Sequence, residues 1–343
     1  METTAAKDAG GSPLDPRLAP LLLFDYDGKT PDGIDHASDG DGDGDGAGFL
    51  FYIIPANQLL IARVDAMRDH RYWATPQGWL LMAARGSPET FLWDPFTGGR
   101  IGLPPDREGF LNGDGHRRCL LSRKPVSGDP DCVVLVADLA DMAFRHCRLG
   151  DLRWLKHEYE CPALGAARGA ALSAMSNLTA VGGRLFTKVC DKIATLEFTP
   201  GPVFAVSPVS EDRAVSPPSS CFWNRLVESR GDLFCVRFRW PQARTRPLAA
   251  IAGVGVFKLD LPSMVWVKAG SLDGRVFLFN RNQFGAAIDP REAGLKGDCV
   301  YYCVADDKAL HVYDMERGST ALHDPGAFLS DRCSPKMVLL PTC

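Results

Sequence analysis

The residues of this 343-residue chain that could hold a metal are few, and their spacing argues against most of them. Cys299, Cys303, His311 and Cys333 come nearest to a zinc set. If residues 299–303 form a strand, four steps of about 3.3 Å separate the two cysteine backbones by roughly 13 Å. Thiolates sharing one zinc at about 2.3 Å must lie within roughly 4 Å of each other. One strand cannot meet both conditions, so the pair is expected as two core cysteines on one face. Aspartates at 39, 41, 43 and 45, alternating with glycines, match the start of an EF-hand loop. The twelfth position, counted from Asp39 or Asp41, is Leu50 or Tyr52, where the bidentate glutamate should stand. The run therefore reads as a solvated low-complexity insertion over 30–47, with a calcium-dependent binder as its rival.

Signatures of catalysis are equally thin. There is no G-x-S-x-G elbow, no H-E-x-x-H, no P-loop and no G-x-G-x-x-G opening a helix. Gly40, Gly42 and Gly44 are spaced by aspartates, which would repel a phosphate. Asp306 with Asp307 and Asp138 with Asp141 fall where hairpin turns are usually capped. No catalytic residue, cofactor site or metal ligand is assigned. The one candidate partner surface is the segment 237–247, where four arginines surround one tryptophan. On a long loop, Arg239, Trp240, Arg244 and Arg246 would form an exposed cluster suited to an acidic protein partner. Its alternative is a solvated hairpin extension paired with the acidic leader.

The elements that must position such groups follow from composition and pattern. Apolar side chains make up 45% and charged ones 23%, an ordinary globular balance that excludes disorder throughout and a small disulfide scaffold. The net charge of −4 is too near neutral for a general nucleic-acid binder, so binding to a polyanion could only be local. Residues 1–47 hold eleven acids and three bases, net −8, which leaves 31 acids and 35 bases, net +4, beyond. Nothing near the start reads as a secretory signal, and runs such as Leu21–Phe24 and Phe49–Ile54 are far short of a bilayer-spanning helix. A soluble protein of the cytosol or nucleus is expected, with no membrane or nucleic-acid partner. Its eleven cysteines, without one C-x-x-C pair, should be mostly reduced and buried.

Apolar residues come in runs of four to eight, closed by Gly, Pro, Asp or Asn, which is the pattern of many short strands. Thr90–Trp93, Arg184–Val189, Cys132–Leu139 and Asp232–Phe238 are clear examples. Only Pro162–Ser176 could hold a helical turn or two. One template of three strands recurs from Gly78, Gly183 and Gly297, the first two 105 residues apart, or two repeats of the length of a propeller blade. About two dozen strand candidates predict an all-β fold: a single β-propeller over 17–341, with about six four-stranded blades or alternatively seven, behind a disordered acidic leader at 1–16. Ala19–Tyr26 or Lys336–Leu340 could supply the strand that closes the ring. Such a ring could also assemble an enzyme site from distant loops at its channel mouth, which is the alternative function.

Phe91-Leu-Trp-Asp-Pro-Phe-Thr-Gly-Gly-Arg-Ile-Gly-Leu-Pro-Pro105 resembles the "NPFTG…I-x-LP" hairpin of plant F-box-associated propellers, with Asp94 in place of the Asn. With Gly78-Trp79-Leu80 before it and Val254–Asp260, Met264–Lys268, Arg275–Phe279 and Gly294–Tyr302 after it, the chain resembles the KIB-type propeller family, domain of unknown function 295, over roughly 17–341. The resemblance implies a non-catalytic protein-interaction module: the substrate-recognition propeller of a Skp–cullin–F-box ubiquitin ligase. Residues 1–16 are too short and too polar for the leucine-rich F-box helices, which puts direct binding of the Skp-type adaptor in doubt. A free-standing binder, a competitor of full-length relatives, a subunit tethered otherwise and a decaying copy all remain open. Trp79, Trp93, Phe96, Trp266 and Phe277 are expected to pack between blades rather than to bind a ligand.

Overall fold

Short apolar strands closed by turn residues cannot bury both faces alone, and in the computed structural model they stack as six sheets around one axis. The structure describes residues 14–24, 48–112, 117–199, 201–211, 222–240, 251–327, 329–330 and 333–341. The Asp/Gly run and most of the acidic leader lie outside them.

The first blade joins the two ends of the chain. Met337–Leu339 is its innermost strand, followed outward by Leu21–Phe24, Phe49–Ile53 and Gln58–Ala62. Leu21 pairs with Leu339 and Leu23 with Met337, so both segments considered for closure meet in one sheet. The second blade runs outward from His70–Ala74 through Leu80–Ala84 and Thr90–Trp93 to Arg100–Leu103. The third holds Arg117–Leu121, Val133–Asp138, Ala143–Arg148 and Leu155–Glu158; the fourth, Thr179–Val181, Arg184–Val189, Lys192–Glu197 and Val203–Pro208.

The last two blades carry a fifth strand. In the fifth, Phe222–Ser229, Asp232–Arg239, Gly253–Asp260 and Val265–Lys268 are joined by Ser210–Glu211, which pairs in parallel with the outer edge and covers it. In the sixth, Ala286–Ile288 is innermost and Val276–Phe279 is inserted in parallel against Cys299–Cys303, before Leu310–Asp314 and Ser319–His323. The expectation of four strands throughout therefore holds for four blades only.

Each gap between neighbouring blades is filled by its own apolar cluster. Leu21, Leu23 and Phe51 of the first blade meet Leu80, Met82 and Trp93 of the second. The alternate residues Leu22, Phe24 and Leu50 point the other way, to Val276, Cys299 and Tyr301 of the sixth. Six such clusters close the circle. Because both faces of a blade are buried, its strands read as continuous apolar runs rather than alternating ones. Trp79, Trp93, Phe96, Trp266 and Phe277 are all buried in these clusters, as expected. Helical structure among the described residues is limited to the 3-10 turn Pro16–Leu18 and the α-helices Asp65–Arg68, Cys161–Leu164 and Arg168–Met175.

Candidate functional site

The innermost strands enclose a central channel whose two ends differ. At one end, residues at or just past the C-terminal ends of those strands line an open cavity of about 560 Å³. Every blade contributes: Pro341, Gln77, Arg123, Gly183, Glu228 and Ile288, from the first to the sixth in turn. Gly183 sits at φ +82°, and a Cβ there would lie 2.8 Å from Arg123 Nη2, so the glycine leaves room for the guanidinium to lean across the mouth.

The other end is filled by two arginines. Arg118 of the third blade and Arg225 of the fifth are 7% and 1% exposed. Arg225 Nη1 donates to the Ser176 carbonyl at 3.0 Å, and Nη2 donates to the Asn280 and Gln283 carbonyls, each at 2.6 Å. Arg118 donates to the Ser176 and Arg281 carbonyls. Ser176 caps the C-terminus of the helix Arg168–Met175, where the helix dipole is negative, so the carbonyls there supply the compensation that a carboxylate would otherwise give. Burial and the neighbouring Arg281 lower Arg118 to about 10; burial and Arg118 lower Arg225 well below its ordinary range. The two side chains tie the third and fifth blades to the helix and to the loop of the sixth, which plugs the channel.

Side-chain amides clasp three of the blade junctions. Gln77 Nε2 donates to the Leu121 carbonyl at 2.9 Å. The Leu226 N–H donates to Asn177 Oδ1 at 2.6 Å. Gln283 holds Val338, closing the ring between the sixth blade and the first. Sequence reasoning missed these amides and the two channel arginines, because each looks like an ordinary turn or strand-end polar residue.

Of the arginine-rich segment, Arg239 and Trp240 are described, whereas Arg244 and Arg246 lie outside the described residues. Arg239 ends its strand exposed, with Nη2 donating to the Ala252 carbonyl at 3.2 Å. Trp240 is half-buried against the cluster between the fifth and sixth blades, so the expectation of an exposed tryptophan is met only in part. Arg237 is taken into the interior, between the rings of Phe222 and Phe257 at 4.9 and 4.7 Å. Phe222 pairs with Arg239, and Ser229 with Asp232, so the strand Asp232–Arg239 ends at the plugged face. Seven strand steps, roughly 23 Å, separate that face from the open mouth.

The family model of the KIB1-4 beta-propeller matches residues 51–323. The chain belongs to that family. A search of curated proteins finds no match. Three solved structures to which this KIB1-4 propeller is similar are remote. A luciferin-regenerating enzyme is 10% identical, with 82% of this chain and 84% of that one covered and a TM-score of 0.33. A provisional 6-phosphogluconolactonase of Bacteroides fragilis is 13% identical, with 92% and 96% covered and a TM-score of 0.40. A protein of unknown function from Bacteroides caccae is 12% identical, with 88% and 83% covered and a TM-score of 0.28.

The hairpin that carries the family resemblance is built as its residues predict. Asp94 Oδ1 accepts from the Phe96 N–H at 2.9 Å and Oδ2 from the Thr97 hydroxyl at 2.7 Å, while Gly98 takes φ +75°. Cys299 and Cys303 are buried in one cluster, on the same face of their strand, and burial raises their thiols to about 11 and about 12. His311 faces the opposite side, its ring stacked 5.0 Å from Tyr302 and its Nε2 2.8 Å from Asp307 Oδ2. No group of three metal-ligating side chains converges among the described residues.

Proposed function

We propose that the protein is a non-catalytic recognition propeller whose plugged face, around Arg239 and Trp240, captures a protein partner for ubiquitin-dependent turnover in the cytosol or nucleus. The family match over residues 51–323 carries this reading. Supporting it, the scaffold is a closed ring with six inter-blade clusters, rigid enough to hold a loop-built surface, and Arg239 stands exposed at a blade end. Trp240, anchored along one side on the core, presents a pre-ordered aromatic edge, the kind of group that dominates binding energy at interfaces. The buried cysteines Cys119, Cys147 and Cys303 offer little as nucleophiles, since burial raises them well above their ordinary range and keeps them as thiols.

Native affinity purification from plant cells, with mass spectrometry of the captured proteins, tests the reading beside an Arg239/Trp240/Arg244/Arg246-to-Ala variant. A partner lost in the variant, together with a cullin or a Skp-type adaptor, is the expected result. Partners retained in full by the variant would remove the loop as the capture surface.

A further inference from the structure

The open end of the channel has a charge pattern that partner capture on the opposite face does not use. Its cavity of about 560 Å³ falls in the size range of small-molecule sites, roughly 300–1,000 Å³. Three cationic side chains line it, Arg123, Lys124 and Arg275, against the one lining carboxylate of Glu228, and Arg123 also has the exposed Asp131 carboxylate outside the lining at 3.7 Å. The Glu228 carboxylate is already engaged, accepting from the Gly231 N–H at 2.7 Å. Arg275 has only long contacts: Asp289 at 3.8 Å and the Ala287 carbonyl at 3.5 Å. Asp289 is held more closely by Arg291, at 2.8 Å. The Arg275 Nε is buried with no hydrogen-bond partner, a cost that a bound acceptor would remove. Further along the channel, Arg118 and Arg225 are compensated by carbonyls and not by any carboxylate, so the axis as a whole is positive.

We propose that the channel mouth binds a phosphate monoester, with Arg123 and Lys124 at the rim and Arg275 on the wall. Within the lining three cations exceed one carboxylate by two, with Asp131 and Asp289 outside it offsetting Arg123 and Arg275 only at 3.7 and 3.8 Å, and a phosphate monoester carries about −1.5 to −2 at neutral pH. Guanidinium forks match the paired oxygens of such a group, and the lysine adds a mobile point charge. The mouth is recessed within the ring, which favours a compact ligand.

Titration calorimetry of the full chain tests this with glucose 6-phosphate, glucose and a phosphoserine peptide as probes. Glucose 6-phosphate should bind and glucose should not. Lys124→Gln, on an exposed side chain, should weaken binding about tenfold, and Glu228→Gln, which keeps the acceptor for Gly231, should strengthen it several-fold. The opposite signs distinguish a ligand site from a general loss of fold. If the peptide alone binds, with the same pattern in the variants, the monoester belongs to a phosphorylated protein and the site stands. Failure of both phosphorylated probes at millimolar concentration, or binding unchanged in both variants, would overturn the proposal. Neither result depends on partner capture through Arg239 and Trp240.

Discussion

Gln283 holds Val338 by both ends of its amide: Nε2 donates to the Val338 carbonyl at 2.8 Å, and the Val338 N–H donates to Oε1 at 2.5 Å. A single side chain thus makes the two bonds of an antiparallel strand pair across the junction where the ring closes. Asn280 and Asn282 extend the clasp, their side-chain amides donating to the Pro335 and Lys336 carbonyls at 3.0 Å each. Replacing Gln283 with Leu keeps most of its volume and strands both buried backbone groups of Val338. The expected loss is about 2–4 kcal/mol, read as a lower urea midpoint with the m-value unchanged. An unchanged midpoint would show that closure rests on the Leu21–Leu339 ladder alone.

Arg225 should be needed for the plug itself. Its guanidinium is the donor to the Asn280 and Gln283 carbonyls, and Arg225→Met would leave both without it in a buried site. A loss of about 2–4 kcal/mol is expected, with faster amide exchange at the 280–283 loop. Arg225→Lys should recover little of this, because one ammonium cannot reproduce the planar fork that reaches three carbonyls.

Much of this architecture is legible in the sequence, for a physical reason. Strands buried on both faces leave continuous apolar runs, and Thr90–Trp93 and Arg184–Val189 have the bounds their composition predicts. The template opening at Gly78, Gly183 and Gly297 falls on the outer three strands of the second, fourth and sixth blades, so it marks alternate blades. The parallel insertion of Val276–Phe279 was hidden, because strand order is a tertiary choice that the run's composition does not encode. The candidate site was less legible. Arg118 and Arg225 reach the axis only because their strands are innermost, and Arg123, Lys124 and Arg275 converge from blades far apart in sequence. Local pattern reports which face of a strand is apolar, but not which ring position a polar end occupies.

Acid should weaken the fold through His146. Burial first, then the charge of His157, lowers it from 6.5 to about 4, with Arg148 adding to the fall and Asp151 opposing it. The unfolded chain therefore takes up a proton near pH 6.5 that the native ring refuses until about pH 4. The stability that depends on neutral His146 is complete above pH 6.5 and is lost between pH 6.5 and 4, by on the order of 2–3 kcal/mol. Urea unfolding at pH 7 and pH 4.5 should show this slope, and His146→Leu should flatten it. The same slope in wild type and variant would assign the acid sensitivity to other groups.

The recognition role itself is tested by the lifetime of the protein that the propeller captures. The partner lost with the Arg239/Trp240/Arg244/Arg246-to-Ala variant should be followed after synthesis is blocked, in cells with and without this chain. A shorter partner half-life in the presence of the wild-type chain, restored by proteasome inhibition and by the variant, is the expected result. A partner captured by the wild-type chain, yet equally long-lived with and without it, would contradict a role in turnover.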